Sequence, residues 1–337
     1  VAAKVLIDPS RGAKRGAGAD ELASIDEALL MEMEKEARLM ASPALRHPNI
    51  IQLMGVCLYP PTIVTEFCER GSFTQVLSKA KSGHQPLSWK MRLNMALGAA
   101  KGMLHLHSRS PPVVHRDLKS PNLLVTDNLR VKVADFNLSK EGSINNEGDG
   151  TGSLLADTNT NGGPENPRWL APELLLQKEK ATAASDIFAF GVVMWEILSC
   201  EVPWQAESPL HIGINIINGK RLPVPTAEDV CGLGPSRDDD HRGSNGGGLQ
   251  QVGDDPQQQQ LLPGYDRYIA LLEQCWAQVK KERPDFKHIT MVLTLLCRAQ
   301  DSPRGTLVGS TASSRAREMA SVTRKKSSSP SSPTWRF

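Results

Sequence analysis

Along the chain the apolar positions first alternate and later fall into helical spacing, and the change of period predicts most of the elements. VAAKVLI (residues 1–7) reads as a strand, and DPSRGAKRGAGADELA (8–23) reads as a loop insertion. Ser24 and Glu27 form a capping-box pattern. They open a helix to about Met40, with Leu29, Met33, Glu36, Ala37 and Met40 close to one face. Two short strands follow, IIQLMGVCLY (50–59) and TIVTEF (62–67), separated by Pro60 and Pro61. Beyond them the period is mostly helical. Helices are predicted over 71–81 and 89–108, the second capped by Ser88 with Leu93, Leu97, Ala100 and Leu104 toward a core. NLLVT (122–126) and VKVAD (131–135) predict a strand pair around Asp127 and Asn128. Further helices are expected over 170–177, 184–200, 208–219, 265–277 and 286–298. The fold class is α+β: a small lobe of strands with one helix, then a larger helical lobe.

Two stretches carry no such pattern. Residues 226–263 combine Gly, Asp and QQQQ with few large apolar side chains, and 301–337 are rich in Ser, Pro, Arg and Lys. Both are expected to be disordered. The domain limits that follow are 1–67 for the small lobe, 68–300 for the large lobe and 301–337 for a tail.

Composition narrows the function classes. With 39 Lys+Arg against 37 Asp+Glu, bulk charge gives no argument for a nucleic-acid or membrane partner. The tail is basic (Arg304, Arg315, Arg317, Arg324, Lys325, Lys326), but such tails are mostly solvated linkers. Cys57, Cys68, Cys200, Cys231, Cys275 and Cys297 form no C-x-x-C pair, which argues against zinc and disulfide frameworks and fits a reducing compartment. The longest apolar run, IFAFGVVMWEIL (187–198), is too short to span a bilayer and contains Glu196. VAAKVLID is not a signal peptide. A cytoplasmic location is the default expectation, with an upstream membrane anchor left open. The chain has no initiating Met and looks cut from something longer.

The most specific chemical signal is VVHRDLKSPNLLV (113–125). Phosphoryl transfer needs a carboxylate to orient a hydroxyl, a cation for developing charge, and an oxygen ligand for Mg²⁺. Asp117, Lys119 and Asn122 could supply these in order. A second strand ends on Asp135-Phe136, placing another acid nearby.

The order of these motifs resembles the eukaryotic protein kinases, and among them the tyrosine-kinase-like serine/threonine group (Raf-like and mixed-lineage-like). The resemblance runs from Val1 to about Arg298, apart from the insertions. It implies a bilobal kinase fold with a partial small lobe, ATP and Mg²⁺ as cofactors, and protein Ser/Thr hydroxyls as substrates. VAAK resembles the strand whose lysine holds the ATP phosphates, here Lys4. Glu36 matches the helix glutamate that pairs with it, and Glu32 is the alternative. TEFCERGSF (65–73) resembles the gatekeeper and hinge, with Thr65 as gatekeeper and Glu66 and Cys68 offering backbone groups to adenine. Ala2 and Leu124 match positions that sandwich adenine; Met40 and Phe136 match a hydrophobic spine. Asn122 and Asp135 match the metal ligands. Asp186 matches the aspartate that braces the catalytic loop, and Arg283 the partner of the A-P-E glutamate, here Glu173.

The sequence departs from that pattern at three points. The Gly-rich loop would lie upstream of Val1, so this fragment alone is expected to be impaired. D-F-G is D-F-N, with Asn137 as the non-glycine residue that best tolerates a left-handed backbone. ENPRW (165–169) stands where the group usually has G-T-P-R-W, so Asn166 replaces a threonine. These departures motivate the alternative reading, a pseudokinase or scaffold. Thr151, Ser153, Thr158 and Thr160 are candidate sites for an upstream kinase, whose phosphate could pair with Arg116.

Overall fold

The computed structural model describes residues 1–5, 27–58, 60–136, 140–141, 166–176, 180–232 and 262–301. The insertion at 8–23, Ser24, Asn137 and the four candidate phosphosites lie outside the described residues.

Strands β1 (Ala2–Val5), β2 (Leu53–Cys57) and β3 (Thr62–Thr65) form an antiparallel sheet in the order β1-β3-β2. Because side chains alternate along a strand, Ala2 and Lys4 share the half-buried face, with Lys4 opposite Ile63. Helix α1 (Glu27–Ala41) packs against this sheet and turns Met33 and Glu36 inward. The strand expected over 50–59 is shorter. Ile50 and Ile51 leave the sheet: Ile51 N–H donates to the Val133 carbonyl at 2.9 Å and Val133 N–H to Asn49 at 2.9 Å. Burying both isoleucines against the larger core outweighs extending the strand.

The helix expected over 71–81 is also shorter. Gly71 has φ 76° and pairs with Val125, so β4 (Gly71–Ser72) precedes α2 (Phe73–Lys81). Ser72 caps α2 in a reciprocal box with Gln75. Helix α3 (Trp89–His107) runs through the core, capped by Ser88. A Cβ on Gly102 would lie 2.6 Å from the Asn49 carbonyl, so glycine is what lets α3 approach that chain. Strands β5 (Val113–Val114), β6 (Leu123–Val125), β7 (Val131–Val133) and β8 (Lys140–Glu141) follow, with β4-β6-β7 in one sheet and β5 paired to β8.

The remaining helices are α4 (Pro172–Leu175), α5 (Ala183–Ser199), α6 (Pro209–Ile217), α7 (Ala227–Cys231), α8 (Tyr265–Cys275) and α9 (Phe286–Asp301). Helix α5 is apolar on nearly every face and is buried on nearly every face, as such a helix must be. Helix α7 corrects the expectation of disorder over 226–263. Thr226 and Asp229 cap it reciprocally, and Val230 leans on the core, which is enough to hold one turn. At the far end of that stretch Leu262 is buried and the Pro263 carbonyl accepts from the Trp89 indole at 3.1 Å. Among the described residues no helix is long and apolar enough to cross a membrane.

Candidate active site

The loop after β5 is held from below by one carboxylate. Asp186, in the first turn of α5, accepts from the backbone N–H of His115 at 2.8 Å and of Arg116 at 2.9 Å. His107 Nε2 lies 2.8 Å from the same carboxylate. The helix N-terminus favours the negative charge there. These bonds hold Arg116 at φ 71°, a strained backbone for a side chain of this size. Asp117 then projects from the loop. Its carboxylate accepts from Asn122 Nδ2 at 2.8 Å and sits 2.7 Å from Lys119 Nζ. Asn122 Nδ2 also donates to the Asp117 carbonyl at 2.9 Å, so the amide nitrogen is used inward and its oxygen remains as an acceptor.

Asp135 follows β7. Ala134 N–H donates to the Asn122 carbonyl at 2.9 Å, and the Ala134 carbonyl lies 3.0 Å from His115 Nε2. These contacts tie the end of β7 to the loop. Asp135 has φ 66°, a left-handed conformation that Asp tolerates better than most residues. Its Oδ1 is 2.9 Å from Lys4 Nζ, and Lys4 is 3.3 Å from each Glu36 oxygen. Glu36 also accepts from Phe136 N–H at 3.3 Å. Burial raises the Glu36 pKa above the ordinary value; Lys4 opposes that shift and Asp135 adds to it. Lys4 thus pairs with Glu36; the side chain of Glu32 lies outside the described residues.

At the hinge the polar groups divide by direction. Glu66 N–H donates to Gln52 at 3.0 Å, and its carboxylate takes Lys132 Nζ at 2.6 Å and Gln52 N–H at 2.8 Å. Its carbonyl receives the Thr65 hydroxyl at 3.1 Å. The Cys68 carbonyl accepts from Gly71 at 3.0 Å. Burial, with the Glu66 carboxylate beside it, pushes the Cys68 thiol up to about 11, so it is not a thiolate at neutral pH. Ala2 and Leu124 are half-buried.

Oxygen donors suit a hard divalent cation. Asp135 keeps a second carboxylate oxygen beyond its bond to Lys4, and Asn122 keeps its amide oxygen. The donor chemistry of these two residues therefore fits a hard divalent cation.

Further from the loop, Arg283 clasps Glu173 through two bonds of 2.7 and 2.9 Å. Asn166 accepts from Arg168 at 3.1 Å; among the described residues it has no bond to Asp117 or Lys119. Sequence reasoning missed Ser120, Glu196 and His107. Glu196, buried in α5, accepts from Ser120 Oγ at 2.6 Å and from the Trp169 indole at 2.9 Å. A single carboxylate inside the apolar run 187–198 was the available signal.

Comparison with known proteins agrees with this geometry. Residues 22–231, more than half of the chain, match the family described as protein tyrosine and serine/threonine kinase. The chain is 42% identical over 184 residues to the Arabidopsis thaliana serine/threonine-protein kinase CTR1, covering 54% of this chain and 21% of CTR1. It is 40% identical over 203 residues to the probable serine/threonine-protein kinase SIS8 of the same plant, covering 59% of this chain and 18% of SIS8. With the probable serine/threonine-protein kinase drkD of Dictyostelium discoideum it shares 36% identity over 269 residues, 79% of this chain and 16% of drkD. It therefore spans about a fifth or less of the length of these relatives. The chain belongs to the protein tyrosine and serine/threonine kinase family.

Proposed function

We propose that this chain is the catalytic part of an ATP-dependent serine/threonine protein kinase. One observation carries the reading: Lys4 joins Glu36 to Asp135, while Asp135 is tied through Ala134 to the loop bearing Asp117, Lys119 and Asn122. Asp117 orients the substrate hydroxyl and takes its proton as that oxygen bonds the γ-phosphorus and the bond to ADP breaks. Lys119, 2.7 Å from Asp117, adds positive charge where the transferring phosphoryl develops negative charge. Lys4, positioned by Glu36, binds the α/β-phosphates. Ala2 and Leu124 sandwich adenine, Thr65 lines the pocket as gatekeeper, and the Glu66 carbonyl and Cys68 backbone give it polar contacts. Asp135 and Asn122 hold magnesium, which when bound supplies neutralising charge to the phosphates. Lys119 within H-R-D-L-K favours Ser/Thr over Tyr.

Activation follows from Arg116. Among the described residues its Nε is buried with no hydrogen-bond partner, and burial lowers the guanidinium pKa even though Asp186 opposes that shift. A phosphate placed by an upstream kinase on Thr151, Ser153, Thr158 or Thr160 would pair with it. ATP as donor, together with cysteines that form no C-x-x-C pair, fits a cytoplasmic compartment.

A second reading, a pseudokinase scaffold, is favoured by Asn166, which bonds Arg168 and leaves Asp117 and Lys119 without it. Radiometric phosphorylation of a Ser/Thr peptide by the full-length protein separates the two. Catalysis predicts that Asp117→Ala lowers transfer about 10²–10⁴-fold. Equal rates from both proteins would leave the scaffold.

A further inference from the structure

The end of α1, the loop after it, the hinge and β7 enclose a cavity of about 340 Å³. Its apolar lining is Met40, Leu45, Ile50, Ile51 and Leu53. Leu45, Ile50 and Ile51 are buried, so that lining belongs to the core and is not a surface patch. The polar lining groups differ in how they are used. Lys132 Nζ is 2.6 Å from Glu66 Oε1, and the same oxygen accepts from Gln52 N–H at 2.8 Å. The charges of that pair cancel. His47 Nδ1 accepts from Asn49 N–H at 3.1 Å, so the ring proton sits on Nε2. The ring stacks on His105 with centroids 4.8 Å apart. Burial, with His105, Lys101 and Lys132 adding to it, pushes the His47 pKa down, so the ring is a neutral donor near pH 7. The guanidinium of Arg46 is exposed and has no hydrogen bond or ion pair among the described residues. Arg46 and Lys132 against Glu66 leave one positive charge uncompensated in the lining.

Small-molecule sites combine a mostly apolar lining with a few polar groups that fix orientation. One uncompensated cation beside an apolar lining selects a monoanion with an apolar body. A phosphate dianion would exceed that charge and face Glu66, whereas a carboxylate matches it and takes both arms of a guanidinium. We propose that this cavity binds a small amphiphilic carboxylate, with its ring or acyl chain on Met40, Leu45, Ile50, Ile51 and Leu53. Its carboxylate pairs with Arg46, and His47 Nε2–H is the second donor. Of the residues given above to ATP, only Glu66 lines the cavity, and its carboxylate is bonded there to Lys132 and Gln52. The site is therefore separate from the nucleotide pocket, and its occupation does not depend on phosphoryl transfer.

The test titrates the full-length protein with 2-naphthoate, and with 2-naphthamide as its neutral match, by calorimetry. Naphthoate should bind with Kd below about 1 mM, and naphthamide about tenfold more weakly. Arg46→Gln should weaken naphthoate about tenfold and leave naphthamide within about threefold. Ala41→Phe puts a ring on an exposed lining residue and should weaken both probes about tenfold. Both positions are exposed, so the variants should melt close to the native protein; if one does not fold, the other decides. A saturating non-hydrolysable ATP analogue should leave the naphthoate Kd within about threefold. Four results would overturn the proposal: no naphthoate binding up to about 10 mM, equal affinity for the two probes, affinity unchanged by both substitutions, or displacement of naphthoate by the ATP analogue.

Discussion

Lys4 and Asp135 meet Glu36 across three separate elements with side chains 38% and 33% exposed, whereas Asp186, which holds the loop below them, has a side chain 1% exposed. The upper cluster depends on ion pairs reaching toward solvent, where screening weakens them and rearrangement is easy. The lower cluster depends on buried carboxylates that satisfy backbone N–H groups and an indole. Those bonds have no competing water, so breaking one leaves an unpaired polar group in the core. The same residue chemistry thus takes two forms: an adjustable cluster of charges that reaches solvent, and a rigid seat for the loop carrying Asp117.

The strongest way to break this contrast is Asp186→Ala. It leaves the N–H groups of His115 and Arg116 buried and unpaired, so unfolding in urea should show a loss of about 3–5 kcal/mol. A loss under 1 kcal/mol would mean the seat is not rigid. Next comes Lys4→Met. Removing a preorganised cation should lower kcat about 10²–10³-fold. Stability should fall by no more than about 1–3 kcal/mol, the cost of leaving the buried Glu36 without its half-buried cation. Large stability loss there would erase the distinction between the clusters.

An effect of similar size is set by pH. The Glu196 carboxyl is raised to about 8 by burial. Below the ordinary carboxylate range, folded and unfolded chains both carry the proton. As pH rises toward 8 the unfolded chain ionises first, so stability falls, by about 1.4 kcal/mol per pH unit, and levels off above that point. Glu196→Gln removes this dependence, so its melting temperature should gain on the native protein between pH 5 and pH 8. A constant difference would contradict the burial of that charge. The smallest effect belongs to Asn166→Thr. It introduces a hydroxyl into the segment 166–170 and should change kcat/KM for a peptide by about threefold or less; a tenfold gain would show that this segment, not the seat of the loop, limits turnover.

Much of the candidate site was legible because its residues recur at short, fixed separations. Asp117, Lys119 and Asn122 lie within one loop, and Asp135 follows β7, which pairs with the β6 strand just after that loop. Helix α3 was readable from its apolar spacing and Ser88 cap. The start of α2 was not, because Gly71 and Ser72 have helical neighbours but answer to Val125 and Leu124 across a sheet. Nor was the departure of Ile50 and Ile51 from their strand, since β-branched residues suit a strand and a core equally well. Helix α7 escaped notice because its stability comes from a capping box, not from apolar periodicity.

The sequence by itself determined most of the elements, the family and the loop that bears Asp117, because each rests on propensities and spacings that a local stretch contains. Only the tertiary structure decided which charges meet. Lys4, Glu36 and Asp135 are far apart in sequence, as are Ser120, Trp169 and Glu196. A carboxylate in a strand, a helix or an apolar run looks alike until burial removes its water. What it then bonds is settled by whichever donors the packing of distant elements brings within about 3 Å.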